Sequence, residues 1–293
     1  MQREPTALRR IAAEFGGSRL ALSGLALLAL ILFAALFAPL ISPQNPYDLA
    51  QLDVLDSRLP PGASSGNGLT FWLGSDGQGR DILSGIFYGL RISLMVGVAS
   101  TLCALIIGLA MGLCAAYFGG RTDAAIMRLV DIQLSFPSIL IALILLALLG
   151  QGIGKTIFAL IMVQWAYYAR TVRSTALIER RKEYIEAAMC LTLPPVRIVF
   201  RHLLPNCLPP LIVIATVQVA AAIALEATLS YLGIGVPITE PSLGLLIKNG
   251  FDYMLSGKYW ISFFPGIALV LTIVSINLVA DRLRDVLNPR LQQ

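Results

Sequence analysis

Residues 183–206 read EYIEAAMCLTLPPVRIVFRHLLPN. Long apolar runs flank this segment, yet it is too polar to cross a bilayer. Tyr184, Ala187, Ala188 and Leu191 recur at i, i+3, i+4 and i+7, and after Pro194-Pro195 so do Val196, Val199, Phe200 and Leu203. The spacing predicts two short amphipathic helices with a proline-made break between them. Two uses fit such a pair. It lies on lipid headgroups with Arg197 and Arg201 near anionic lipid, or its exposed face fills a groove on a soluble partner. Ala187 and Ala188 favour the second, because small residues permit close backbone approach and grip little lipid.

Working outward, the chain of 293 residues is 57% hydrophobic and only 13% charged, with a mean hydropathy of +0.77. Soluble domains carry about 25% charged residues, so this is an integral membrane protein, all-α and polytopic. A spanning helix needs about 20 apolar residues. Residues 20–41 read as an uncleaved anchor, 92–118 as a second span, and 131–170 as two helices joined by a tight turn at 150–154. The fourth span is short, with 14 residues between Lys155 and Arg170. Residues 207–233 and 259–280 complete six spans, which puts both termini on one side.

Positive charge selects that side. With the N-terminus inside, 16 of the 22 basic residues are cytoplasmic: Arg3, Arg9, Arg10, Arg19, Arg121, Arg128, Arg170, Arg173, Arg180, Arg181, Lys182, Arg197, Arg201, Arg282, Arg284 and Arg290. Arg58, Arg80, Arg91, Lys155, Lys248 and Lys258 fall outside. The N-in, C-in arrangement divides the chain into a cytoplasmic N-terminal segment (1–19), an anchor helix (20–41) and an external loop (42–90). A core membrane domain (91–281) carries the cytoplasmic loop 170–206, and a cytoplasmic tail (282–293) follows.

The net charge of +5 therefore reflects topology and not nucleic acid. His202 is the only histidine, which argues against a histidine-based metal site or a Ser-His-Asp triad within the chain. The four cysteines lack CxxC spacing and read as small buried hydrophobes. GQGIGKT (150–156) ends like a P-loop, but position 149 is Leu where Gly is needed, and no strand precedes it. No other segment offers a Walker motif, so no ATP site is expected in this chain. Arg170 and Arg173 read as interfacial anchors, and Trp165, Tyr167 and Tyr168 as an aromatic belt.

Glu226 interrupts the fifth span, where a carboxylate at the bilayer centre costs about 2.5–3.5 kcal/mol. It admits two readings: a pathway or gate residue facing the bundle interior, or a carboxylate near the external end that helps helices pack.

The opening stretch resembles the EAA loop of binding-protein-dependent ABC importer permeases: Glu186-Ala187-Ala188 and Leu204-Pro205 stand at the right separation. LGSDGQGRDILSGIFYGLRISL (73–94), LVDIQLSFPSILIAL, EATLSYLGIGV and FFPGIALVLTIVSINLVADRLRDVLNPRL are similar to blocks of the dipeptide/oligopeptide/nickel subfamily, in its second-permease (C-type) branch. The resemblance covers roughly residues 20–293. It implies a type I importer permease fold with no enzymatic activity. This subunit would form half of a pore with a homologous permease, two cytoplasmic ATPases binding ATP and Mg, and an external binding protein. It also implies that Glu183, Tyr184, Glu186, Ala187, Ala188, Thr192, Arg201, His202, Leu204 and Pro205 serve ATPase coupling. The implied substrates are peptides, with nickel or other metal chelates, glutathione and opines as alternatives. Two positions depart from the pattern: Thr192 replaces the loop glycine, and Pro241-Ser242-Leu243-Gly244 stands where Trp usually precedes Gly. An ion-coupled secondary transporter would instead need charged relays or broken helices near the midplane, for which Glu226 alone is thin support.

Overall fold

The computed structural model describes residues 14–66 and 68–287. Residues 1–13 and 288–293, which carry Arg3, Arg9, Arg10 and Arg290, lie outside the described residues. The chain is a bundle of helices: α1 (Arg19–Leu36), α2 (Ala38–Ile41), α3 (Ile82–Phe118), α4 (Gly120–Ser135), α5 (Ser138–Leu149), α6 (Ile153–Arg180), α7 (Glu183–Cys190), α8 (Pro195–Ile198), α9 (Leu204–Tyr231), α10 (Leu243–Met254) and α11 (Trp260–Leu287). A two-stranded antiparallel hairpin, β1 (Ala63–Ser64) and β2 (Thr70–Phe71), sits in the segment between α2 and α3.

Helix α3 organises the bundle, packing against α1, α6, α9, α10 and α11. Asp81 starts it: Oδ2 accepts the Ser84 N–H at 2.8 Å and the Ser84 hydroxyl at 2.6 Å, satisfying donors that a helix N-terminus leaves open. The helix begins ten residues before the expected 92, because exposed Arg91 continues it. Its 37 residues span about 55 Å, well beyond a hydrocarbon core of about 30 Å. Glycine lets α6 approach closely. A Cβ at Gly108 would lie 2.6 Å from the Trp165 carbonyl oxygen and 2.9 Å from the Ala169 nitrogen, so the two backbones touch, as small residues allow between membrane helices.

The six expected spans are not six straight helices. Among the described residues, four helical stretches are long and apolar enough to cross a membrane: Arg19–Leu36, Ile82–Phe118, Pro195–Tyr231 and Trp260–Leu287. A fifth counts only if α4 and α5 are taken as one span, and these meet at a 91° bend. The bend follows from Phe136-Pro137, since proline cannot continue the α4 hydrogen-bond ladder. Helix α6 is long enough, at 28 residues, but more polar: Lys155, Gln164 and Arg170 interrupt its apolar part, and Arg173 and Arg180 follow.

Those arginines have partners. Arg170 pairs with Asp131 and Arg173 with Asp123, both on α4, the second through Nε and Nη2 together. They tie α4 to α6 where simple interfacial anchoring was expected. Tyr168, expected in an aromatic belt, is buried between helices, while Tyr167 is exposed. Of the cysteines only Cys207 is buried; Cys103, Cys114 and Cys190 are exposed.

The two ends of the bundle differ. At one end Gln151 donates to the Gly233 carbonyl at 2.6 Å and Gly152 to that of Gly235 at 3.2 Å. The GQGIGKT tract is thus a turn clipped to the loop after α9. Segment 42–81 folds over this end: Tyr47 contacts Tyr88 edge-on and hydrogen-bonds Glu240, and Gly74 (φ +88°) fits beside Trp260. At the other end Arg180 donates to the Ala116 carbonyl at 2.8 Å, and Arg282 of α11 donates to the Glu14 carbonyl. The chain segments leading into α1 and ending α11 therefore lie together.

Candidate functional site: a two-helix platform between α6 and α9

Helices α7 and α8 project between the end of α6 and the start of α9. Helix α7 holds Glu183 and Glu186 in its first turn, where carboxylates are favoured by the helix dipole. It ends in two bonds of a Schellman motif: Leu193 N–H to the Ala188 carbonyl at 3.3 Å and Thr192 N–H to that of Met189 at 2.9 Å. The left-handed position of that motif is Thr192, with φ +52°. The threonine therefore adopts the conformation that the expected glycine would supply, and the Pro194-Pro195 pair follows the turn and starts α8.

The anchoring face differs from the predicted stripe. Ile185 and Ala188 of α7, Ile198 of α8 and Leu203 are buried against Tyr168, Val172 and Ala176 of α6 and Ala116 of α3. Tyr184, Ala187, Leu191, Val196 and Phe200 face outward, Leu191 at 73% exposure and Phe200 at 63%. Ala188 and Leu203 thus leave the predicted face, and Ile185 and Ile198 replace them inside. Neither helix is free-standing. Residues Val199–Leu203 form a π-helical turn, closed by the Leu204 N–H to the Val199 carbonyl, and join α8 to α9 as one stretch, Pro195–Tyr231. This corrects the expected separation of the second amphipathic helix from the fifth span. Pro205, Pro209 and Pro210 all lie within α9.

Of the predicted residues, Glu183, Glu186, Ala187, Thr192, Arg201 and Pro205 are exposed on the platform, His202 and Leu204 are half-buried, and Ala188 is buried. Tyr184 is 41% exposed, but its hydroxyl turns back to Glu179. Burial first, then the neighbouring Glu179, pushes the Tyr184 phenol up to about 12. Burial alone would raise the Glu179 pKa, but hydrogen bonds from Lys182 and Tyr184 outweigh it and hold the carboxyl below the usual range. Sequence reading missed Glu179, Lys182 and Asn206. Their only signal was nearness in sequence to the amphipathic segment.

Glu226 lies far from the platform, in the last turns of α9 before the loop that leads to α10. It is fully buried. Ser93 of α3 donates to Oε2 at 2.8 Å and Ser230 to Oε1 at 2.7 Å, and Ser242, the N-cap of α10, hydrogen-bonds it too. Among the described residues, no group of three or more His, Cys, Asp and Glu could hold a metal ion.

The long apolar helices and the amphipathic pair at one end define a polytopic α-helical membrane protein. The family model described as "Binding-protein-dependent transport system inner membrane component" matches residues 104–293, and "N-terminal TM domain of oligopeptide transport permease C" matches residues 6–61. The chain belongs to this family of inner-membrane permeases and is a multi-pass membrane protein. It is 36% identical over 288 residues, 98% of this chain and 94% of that protein, to the di/tripeptide transport system permease protein DppC of Pseudomonas aeruginosa. It is 38% identical to the dipeptide transport system permease protein DppC of Escherichia coli K12, covering 98% of this chain and 95% of that one. A Bacillus subtilis oligopeptide transport system permease protein, OppC, is 36% identical over 96% of this chain and 88% of its own length. Among solved structures, an inward-facing MetNI methionine ABC transporter shares the fold, with a TM-score of 0.55, 23% identity, and coverage of 68% of this chain and 94% of that one.

Proposed function

We propose that this chain is one half of the translocation pore of an ATP-driven importer of di- or oligopeptides. A homologous permease completes the pore, two cytoplasmic ATPases dock on α7–α8, and an external binding protein delivers the substrate. ATP and Mg belong to the ATPases, and this subunit is not itself an enzyme. The observation that carries the reading is the platform. Its apolar outer side chains (Leu191, Val196, Phe200) stand exposed beside Glu183 and Glu186, while Ile185, Ala188, Ile198 and Leu203 root it in the bundle. An exposed helical face held by a rigid base is what helix-in-groove docking needs.

In this mechanism ATP closes the ATPase pair, the platforms move with it, and the bundle opens outward to accept the ligand. The shift requires ATP to bind the closed pair more tightly than the open one. The names of the relatives support peptide as cargo over the metal-chelate, glutathione and opine alternatives. The positive charge of the platform side supports its placement in the cytoplasm.

Replacing Glu186 with Arg tests docking. The ATPase subunits should no longer co-purify, and transport should cease; full assembly and transport in that variant would refute the reading. A binding screen of the partner binding protein against peptides, metal chelates and opines tests the cargo.

A further inference from the structure

We propose that Tyr184 is a positioning residue, whose hydroxyl fastens the docking helix to both long helices beside it so that displacement of α7 reaches α6 and α9 together. This rests on the docking function proposed above, but the contacts that motivate it lie entirely within the chain.

The Tyr184 hydroxyl donates to Glu179 Oε2 at 2.8 Å and accepts from Asn206 Nδ2 at 3.0 Å. Glu179 lies in the last turn of α6 and Asn206 in the first turn of α9. Both ends of this chain are themselves held. Lys182 Nζ donates to Glu179 Oε1 at 2.6 Å, and Asn206 Nδ2 donates to the His202 carbonyl at 2.8 Å. One phenolic oxygen therefore links three helices in a directed series, Asn206 to Tyr184 to Glu179.

Such a link is needed because α7 is weakly held otherwise. It has eight residues, too few to be stable in isolation, and it buries only Ile185 and Ala188. Apolar contact is non-directional and lets a short helix roll on its base. Hydrogen bonds to two separate helices fix its rotation. A partner that pushes on the outer face of α7 then moves the ends of α6 and α9 instead of turning α7 in place. The ring of Tyr184 is left half-exposed beside Ala187, while its polar atom is committed inward.

Tyr184→Phe removes only the hydroxyl. In proteoliposomes holding the full complex with its binding protein, labelled alanyl-alanine uptake and ATP hydrolysis are measured in the same vesicles. The expected result is a complex that retains its ATPase subunits but moves about tenfold less peptide per ATP, the factor matching loss of one hydrogen bond to a charged group. Asn206→Ala should act alike, with little further loss in the double variant. Glu179→Gln, which still accepts from Tyr184, should keep more of the ratio than Glu179→Ala. Amide exchange across Glu183–Cys190, which needs no substrate, should rise by a similar factor in Tyr184→Phe. An unchanged exchange rate and transport ratio would overturn the proposal. So would loss of the ATPase subunits from Tyr184→Phe, since the hydroxyl would then be a docking contact. Glu186→Arg separates the two claims: if that variant keeps its ATPase subunits, docking itself fails; if it loses them while Tyr184→Phe transports normally, only the tie fails.

Discussion

Thr192 donates its backbone N–H to the Met189 carbonyl at 2.9 Å while holding φ at +52°. A β-branched residue is uncommon there, because its Cβ crowds the following carbonyl. Left-handed backbone costs a non-glycine residue about 1–2 kcal/mol, and glycine gives back about 0.5–1 kcal/mol through its more flexible unfolded state. Thr192→Gly should therefore stabilise the subunit by about 0.5–1 kcal/mol and leave ATPase assembly intact, read from the thermal midpoint in detergent and from co-purification. Thr192→Pro should abolish assembly, since proline fixes φ near −65° and deletes the N–H. Lower stability in the glycine variant would show that the threonine side chain contributes something beyond its backbone.

Glu226 separates a gate from a packing node. Three serine hydroxyls converge on its carboxylate, and a hydroxyl can reverse from donor to acceptor. Glu226→Gln should consequently cost about 1 kcal/mol or less and keep transport. Glu226→Ala should lower stability by about 2–4 kcal/mol through the cavity and the unpaired hydroxyls. Thermal melts paired with uptake assays distinguish the readings. Lost transport in Glu226→Gln at an unchanged melting point would mark a gate.

The Asp123–Arg173 pair predicts a pH signature. The hydrogen bonds from Arg173 outweigh burial and hold the Asp123 carboxyl below its ordinary value. A depressed carboxylate pKa contributes stability above the unfolded-state value, near 3.9, that is lost as pH falls through the folded-state value. Wild type should exceed Asp123→Asn by about 1 kcal/mol at pH 7, a charge-assisted bond discounted for partial exposure. The gap should stay constant down to about pH 5 and close below the usual carboxylate range. Melting both proteins across pH 3–8 checks it. A gap that changes between pH 6 and 8 would point to another group.

The position and amphipathic character of the platform were legible at residues 183–206 because helical periodicity and a proline break are local signals. Its inward face was not. Periodicity places Tyr184, Ala187, Ala188 and Leu191 on one side, but burial of Ile185 and Ala188 is decided by tertiary packing against α6 and α3. The left-handed Thr192 was hidden for a related reason. Three polar or proline residues in sequence offered several ways to turn, and the hydrogen bonds back to Ala188 and Met189 selected one. Charge does not mark where helices end: Arg91 and Arg170 sit inside α3 and α6. Of the partners of Glu226, Ser230 stands one helical turn on, but Ser93 lies 133 residues away and could not be read.

Gly244 gives the sharpest test of how α10 packs on α9. A Cβ there would lie 2.2 Å from the Ala227 carbonyl oxygen and 2.6 Å from the Ala227 Cα. The obstacle is backbone, which cannot swing aside as a flexible side chain would. Gly244→Ala should force α10 off α9, destabilising the subunit by about 2–3 kcal/mol, at the upper end of overpacking costs. Gly266 in α11 is the matched comparison, since a Cβ there meets nothing within 4 Å. Gly266→Ala should be neutral or stabilise by up to about 1 kcal/mol through helix propensity. In the same detergent the thermal midpoint should fall for Gly244→Ala and hold or rise for Gly266→Ala. Equal losses would mean that α10 can shift on α9, and that the close approach at Ala227 is not what fixes their packing.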